Sequence, residues 1–322
     1  MTEVSTDSWT FSRRASHYLA IATLLATVPL LFSGGQVTSY GVGMAVPDWP
    51  TTFGQNMWLY NWLRESPGVQ KEHTHRLLGT LVGSLTLALT VLVFATEKRR
   101  WLRRYTLVVL AGVLLQGIIG GQRVVLNAMF GQGLALIHGG FAQAFFGLLC
   151  GLVVLTSRRW LVGNQIPHEE ATRWRWSTLV LCVGVFGQIL LGATLRHLGI
   201  GFIPHLVLGG VILMGTLWMG MSFLLDGDLR RVGGLHASLL LAFVGIQVLL
   251  GFAAMSLTGL HAPGVGPAPT VEEALVTTLH LLCGSAIFGL ALALTLRTWS
   301  ELQPLEATAD AGAPSGVLEA VG

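Results

Sequence analysis

Charge is scarce in this sequence. Asp, Glu, Lys and Arg make up 11% of the 322 residues, less than half the roughly 25% typical of a soluble domain. With 52% hydrophobic residues and a mean hydropathy of +0.65, the chain reads as an integral membrane protein. Cysteine is nearly missing too. Cys150, Cys182 and Cys283 all fall inside apolar runs and form no CxxC, which excludes a disulfide framework and a thiolate metal site. No Asp-rich segment suits Mg²⁺ and a diphosphate. Only Glu72-x-x-His75 has the Glu-x-x-His spacing, so a di-iron carboxylate bundle, which needs several such carboxylates, is excluded as well. Residues 1–16 mix both charge signs and lack the regions of a cleaved signal, so the apolar run that follows is expected to be a retained helix.

What remains is apolar sequence in eight runs, each long enough to cross a bilayer: 17–36, 75–96, 105–122, 134–156, 177–195, 204–225, 236–257 and 274–296. Fourteen of the nineteen Lys and Arg residues fall on one side of these runs, among them Arg13, Arg14, Lys98–Arg100 and Arg158–Arg159. The positive-inside rule makes that side, with both termini, cytoplasmic. The expected fold is an all-α membrane protein whose eight helices form two similar four-helix bundles, 17–156 and 174–297. A cytoplasmic segment 1–16 precedes them, a cytoplasmic linker 157–173 joins them, and a disordered cytoplasmic tail 298–322 follows. The outer loop 37–74 is long in the first half only, which makes it a candidate lid.

Histidine organises these runs. His75, His138, His205 and His280 each open an even-numbered helix at its outer end. A glycine follows four residues later at Gly79, Gly209 and Gly284, and Gly139, Gly140 and Ala142 give a similar small surface after His138. A single such histidine would be an interhelical hydrogen-bonding residue. Four on one membrane face point instead to paired axial ligation of a flat macrocycle, His75 with His138 and His205 with His280. Two imidazoles without thiolate or clustered carboxylate suit haem iron. Arg76, Arg123 and Arg196 stand at outer helix ends, where a guanidinium either snorkels or pairs with carboxylates such as haem propionates. Glu72 lies one turn outward of His75, either as a helix-start carboxylate favoured by the dipole or as a catalytic carboxylate. His73, His197, His236 and His261 are alternative ligands, with His197 the strongest of them. A second repeat, Gln116-x-x-x-Gly120, Gln188-x-x-x-Gly192 and Gln247-x-x-x-Gly251, reads as helix packing.

Taken together, Glu72-His73-Thr74-His75-Arg76, Gln116-Gly-Ile-Ile-Gly-Gly-Gln-Arg123, His138, Gln188-Ile-Leu-Leu-Gly-Ala-Thr-Leu-Arg-His197, His205, His280 and the segments Gly34–Ser39 and Val46-Pro-Asp-Trp-Pro50 resemble the haem A synthases, over about residues 15–297. The resemblance implies a plasma-membrane oxidoreductase that converts the C8 methyl of haem O to a formyl group. It places the substrate haem between His75 and His138 with catalytic Glu72 beside it, and a resident haem b between His205 and His280. It also implies haem O and haem A as ligands, haem O synthase and cytochrome oxidase assembly factors as partners, membrane lipid as surroundings and no nucleic acid. Two features depart from the family. The first outer loop has no cysteine pair, and Gln36-Val37-Thr38-Ser39 stands where many members carry an arginine soon after Gly-Gly.

Without the resemblance, the residues alone lead to two bis-histidine haem sites near the outer leaflet. A haem-modifying enzyme fits that description, and so does a dihaem b-type electron carrier linked to quinol. Carriers set their haems in opposite leaflets so that electrons cross, whereas here all four ligands are expected on one side.

Overall fold

The computed structural model describes residues 9, 11–126, 129, 131–259 and 268–305. Among them are eight helices long and apolar enough to span a membrane: α1 (Phe11–Ser39), α2 (Pro67–Thr96), α3 (Arg100–Val125), α4 (Gln132–Thr156), α5 (Ala171–Leu198), α6 (Phe202–Leu225), α7 (Gly227–Thr258) and α8 (Val271–Glu301). The chain is therefore a multi-pass, all-α membrane protein. Lipid offers no partner to a bare backbone, so helices are what such a sequence can form. Polar side chains inside the spans follow the same rule. Thr23, Thr27, Thr86, Thr90 and Thr106 each return their hydroxyl to the carbonyl four residues back.

Each helix contains the expected apolar run but extends beyond it, and at α2 the extension changes the setting of the candidate residues. That helix starts at Pro67 behind Ser66, with proline at the first turn, where a missing N–H costs nothing. The outer loop therefore spans 40–66 rather than 37–74. His75 lies more than two turns inside its helix instead of at the mouth, and Glu72 falls in the second turn, where the favourable end of the helix dipole has faded.

Buried apolar side chains gather in two main clusters. One joins α1–α4 through Ala20, Val82, Leu89, Val109, Phe145 and Leu149. The other joins α5–α8 through Trp174, Val185, Phe223, Leu240, Ile287 and Leu294. Leu31, Phe146 and Cys150 form a smaller cluster where the two meet. There, α4 and α8 are the most buried spans, and glycine lets them close up. A Cβ at Gly147 would stand 2.6 Å from the Phe288 ring, and one at Gly289 2.8 Å from Cys150 Sγ. The Ser285 hydroxyl donates to Gln143 Oε1 across the same contact at 2.8 Å.

The other end of the bundle is also ordered. Residues 298–305 do not begin a disordered tail. α8 continues to Glu301, whose carboxylate meets Arg159 at 2.6 Å and Arg297 at 3.4 Å. Leu302–Gln303 then pairs in parallel with Ile166–Pro167 of the linker, and Leu302 is fully buried. Local composition did not reveal this, because the partner strand lies more than a hundred residues away. Residues 306–322 lie outside the described residues.

Candidate paired-histidine site

Four imidazoles meet in two pairs. His75 of α2 faces His138 of α4 with ring centres 6.4 Å apart and planes at 79°. His205 of α6 faces His280 of α8 at 6.3 Å and 65°. With a metal–nitrogen bond of about 2.0–2.1 Å and about 1.2 Å from nitrogen to ring centre, two imidazoles on opposite sides of one ion stand about 6.4 Å apart. Both pairs fit that spacing. No group of three His, Cys, Asp or Glu side chains among the described residues is placed to hold a metal. Each pair therefore suits an ion whose remaining donors arrive with it, as a porphyrin's do.

Every ring rests on a glycine of the preceding helix. A Cβ would stand 2.9 Å from His75 Cε1 at Gly34, 3.0 Å from His138 Cε1 at Gly120, 3.0 Å from His205 Cε1 at Gly192 and 3.2 Å from His280 Cε1 at Gly251. An alanine at any of these positions would press on the ring. The glycines four residues after the histidines serve a different purpose from the macrocycle groove expected for them. A Cβ at Gly209 would stand 3.0 Å from Gln188 Nε2, and one at Gly284 3.4 Å from Gln247 Nε2. In α5–α6 and α7–α8 the two repeats are thus one reciprocal lock, in which histidine sits on the odd helix's glycine and glutamine on the even helix's glycine.

The glutamines were read from sequence as packing residues; in the fold their amides reach the histidines. Gln116 Nε2 lies 3.2 Å from His138 Nδ1 and 3.3 Å from its Nε2, and donates to the His138 carbonyl at 3.1 Å. Gln247 Nε2 lies 3.2 Å from His280 Nε2. Gln188 Nε2 donates to the His205 carbonyl at 2.8 Å. Their carbonyl oxygens, and Nδ1 of His75, His205 and His280, are buried without a partner. The signal was present in the sequence, since a glutamine precedes each seating glycine by four residues; α1 alone has Leu30 there.

The outer loop is fastened to α2 on either side of His75, at Glu72 and Arg76. Glu72 Oε2 accepts from the Val46 amide at 2.8 Å, and Oε1 pairs with Arg76 Nη2 at 2.6 Å. Arg76 then donates to the carbonyls of Val46, Asp48 and Thr51 at 2.9, 2.6 and 3.1 Å. This arginine, one of the three candidates for a propionate partner, has its two terminal nitrogens engaged by the loop. The loop's own carboxylates are also engaged. Glu65 accepts from the Tyr60 hydroxyl at 2.6 Å, which pushes that hydroxyl up to about 12. Asp48 accepts from the Phe53 and Gly54 amides at 2.8 Å and from the Thr51 hydroxyl. Partial burial opposes ionisation of Asp48, but these bonds outweigh it and hold the carboxyl below its ordinary range.

Arg123 differs from Arg76. Among the described residues its guanidinium makes no hydrogen bond and no ion pair within 4.0 Å, and it faces Gly43, where a Cβ would stand 2.6 Å from Nη2. Arg196 ties α5 to both neighbouring helices, donating to Gly35 O at 2.8 Å, Ser39 Oγ at 2.7 Å and Thr277 O at 3.1 Å. It thereby brings a cation to the Gly34–Ser39 segment, which has no arginine of its own. His197 is buried against Gly139, its Nε2 3.3 Å from a Cβ built there. His73 is a loop-packing residue, stacked on Trp62 with Nδ1 3.2 Å from Thr52 Oγ1. His236 lies 3.2 Å from Arg297, away from either pair. His261 lies outside the described residues.

Comparison with known proteins gives the family. The model of a family described as cytochrome oxidase assembly protein matches residues 17–206, which contain three of the four histidines. A protein of Exiguobacterium sp. described as heme A synthase is 25% identical over 281 residues, covering 79% of this chain and 86% of its own length. With more than half its length matched by the family model, the chain belongs to the cytochrome oxidase assembly protein family.

Proposed function

We propose that this protein is a haem A synthase, an oxidoreductase that converts the C8 methyl of haem O to a formyl group. The observation that carries the proposal is the spacing of the two imidazole pairs, 6.4 and 6.3 Å between ring centres, each matched to one ion, in a chain of the cytochrome oxidase assembly protein family. His75 and His138 hold the substrate haem, in the half that carries the long loop. His205 and His280 hold a resident haem b, which supplies one-electron chemistry when bound. Two separate apolar clusters support a division of labour between the halves. The termini are cytoplasmic and both pairs lie toward the outer face of the bacterial plasma membrane, as the Lys and Arg distribution requires.

The chain's own groups have distinct tasks. Arg123, whose guanidinium makes no protein hydrogen bond among the described residues, takes a propionate of the substrate, while Arg196 holds α1, α5 and α8 in register. The Val46–Thr51 loop excludes water from the substrate side. Oxidising a methyl to a formyl replaces hydrogens on carbon by an oxygen, with the electrons passing to an external acceptor and the hydrogens leaving as protons, and Glu72 is the carboxylate on the His75 helix one turn away from the ligand. Its Oε1 and Oε2, oriented by Arg76 and the Val46 amide, accept a proton leaving the reacting edge. A second reading of Glu72 has its own observation: the Val46 bond makes it a clasp for the loop.

Extraction of haem from the purified full-length protein tests the function. Haem b together with haem O, haem A or a hydroxylated intermediate is the expected result. Haem b alone, in cells that supply haem O, would favour the dihaem electron carrier.

A further inference from the structure

One imidazole reaches from the second half of the molecule into the first. His197 stands in the last turn of α5, yet its Nε2 lies against Gly139 of α4, 3.3 Å from a Cβ built there. Gly139 follows His138 directly in the chain. His197 is only 7% exposed, and among the described residues its ring makes no hydrogen bond. Buried polar groups are almost always bonded, so a buried ring without a partner marks a bond that something else completes. Arg196 fixes where the ring stands, by donating to Gly35 O and Ser39 Oγ of α1 and to Thr277 O of α8.

We propose that His197 is a carboxylate-binding residue of the first half's site, donating a ring N–H, beside Arg123, to a propionate of the macrocycle that His75 and His138 hold. This rests on the reading of that pair as the substrate site. The charge of Arg123 is felt at His75, His138 and His197 alike, which puts the guanidinium among all three rings. It is half-buried and makes no hydrogen bond among the described residues, so it needs an anion. The carboxylate near it is Glu72, which Arg76 and the Val46 amide already hold. A macrocycle bearing propionates brings the missing carboxylates with it. Guanidinium and imidazole N–H groups are both donors suited to them. Axial ligation fits His197 less well. His75 and His138 already flank one ion at 6.4 Å between ring centres, which leaves no axial position for a third imidazole. Gly139 is what admits the ring, since any side chain there would press on Nε2. The site of the first half is thus completed by a residue of the second.

The test compares binding of iron protoporphyrin IX and of its dimethyl ester to the full-length protein. The His205–His280 pair is filled beforehand, and the other pair is followed by its bis-imidazole spectrum. Wild type should bind the acid at least about 10-fold more tightly than the ester, the scale of one hydrogen bond to a charged group. His197→Leu and His197→Phe remove the N–H with less and with more volume than imidazole, so one can decide if the other does not fold. Each should lose about 10-fold for the acid, bind the ester as wild type does, and keep both bis-imidazole spectra. His197→Gln, which retains an N–H donor, should restore most of the preference. Equal weakening of acid and ester would overturn this inference by making His197 a packing residue, and so would unchanged binding of both. Loss of the His75–His138 spectrum from these variants would overturn it by making His197 an axial ligand. Wild type binding acid and ester alike would overturn it without any variant. All four outcomes leave the proposed function standing. A wild-type protein without any bis-imidazole spectrum would remove the proposed function and this inference together.

Discussion

Gly120 of α3 lies directly beneath the imidazole of His138, so close that a Cβ at 120 would stand 3.0 Å from Cε1. Contacts between 3.0 and 3.4 Å are tighter than nine in ten real Cβ contacts, so the neighbour must give by a few tenths of an ångström, and the Gln116 amide leaves the ring little freedom to retreat. Gly120→Ala is therefore expected to lower haem retention at the His75–His138 pair at least several-fold while the helices stay folded. Gly251→Ala should do the same at the other pair, since the ring is moved rather than removed. Haem per protein, measured beside circular dichroism, checks both. Full loading in either variant would show that the seat tolerates a methyl group.

The two pairs should lose haem independently. His205→Ala or His280→Ala removes one of two axial imidazoles and should abolish the resident b-type spectrum. His75→Ala or His138→Ala should keep most of that spectrum and stop formation of haem A. Equal loss of haem b from all four variants would contradict the assignment of separate substrate and resident sites.

Glu72→Gln separates chemistry from the clasp. The amide oxygen can still accept from the Val46 N–H, so the loop contact survives. Losing the charge opposite Arg76, whose guanidinium keeps three loop carbonyls, should cost about 1–3 kcal/mol. A catalytic Glu72 predicts retained haem b, retained haem O and no haem A on chromatography of extracted haems. A wild-type ratio of haem A to haem O would leave Glu72 with the structural role alone.

The loop has its own pH dependence. Asp48 is held below its ordinary value, near 3.9 for a free Asp, so the stabilisation it gives is present above that value. It is lost as the pH falls through the lower folded value. Protease nicking of residues 40–66 in the detergent-solubilised protein should rise below about pH 4. Asp48→Asn should be nicked readily at neutral pH and respond less to acid. A variant with wild-type resistance and the same acid response would place the control elsewhere.

Orientation can be read directly. Reporter fusions should put residues 98–104 and 158–175 in the cytoplasm and the 40–66 loop outside, as fourteen of nineteen basic residues demand. A cytoplasmic 40–66 loop would invert the placement of both histidine pairs.

Much of this protein was legible in order of sequence. Eight apolar runs determine eight helices because a bilayer-length stretch has no other way to satisfy its backbone. Histidines at matching places on alternate helices must then meet in pairs at one end, and the sequence named His75, His138, His205 and His280 for that reason. What it could not determine depends on which side chain lies across from which. The Gln-x-x-x-Gly and His-x-x-x-Gly patterns were both visible, but only the packed helices show them as two sides of one lock. The exposed-looking Arg76 proves to be held by three carbonyls of a loop some thirty residues earlier, and residues 302–303 are ordered by a strand in the linker. Hydrophobicity and helical period act within a segment and can be read along the chain. Hydrogen bonds and glycine seats between segments arise from side chains brought together across the fold, so the tertiary structure alone assigned Gln116, Gln247 and Leu30 their places beside the histidines.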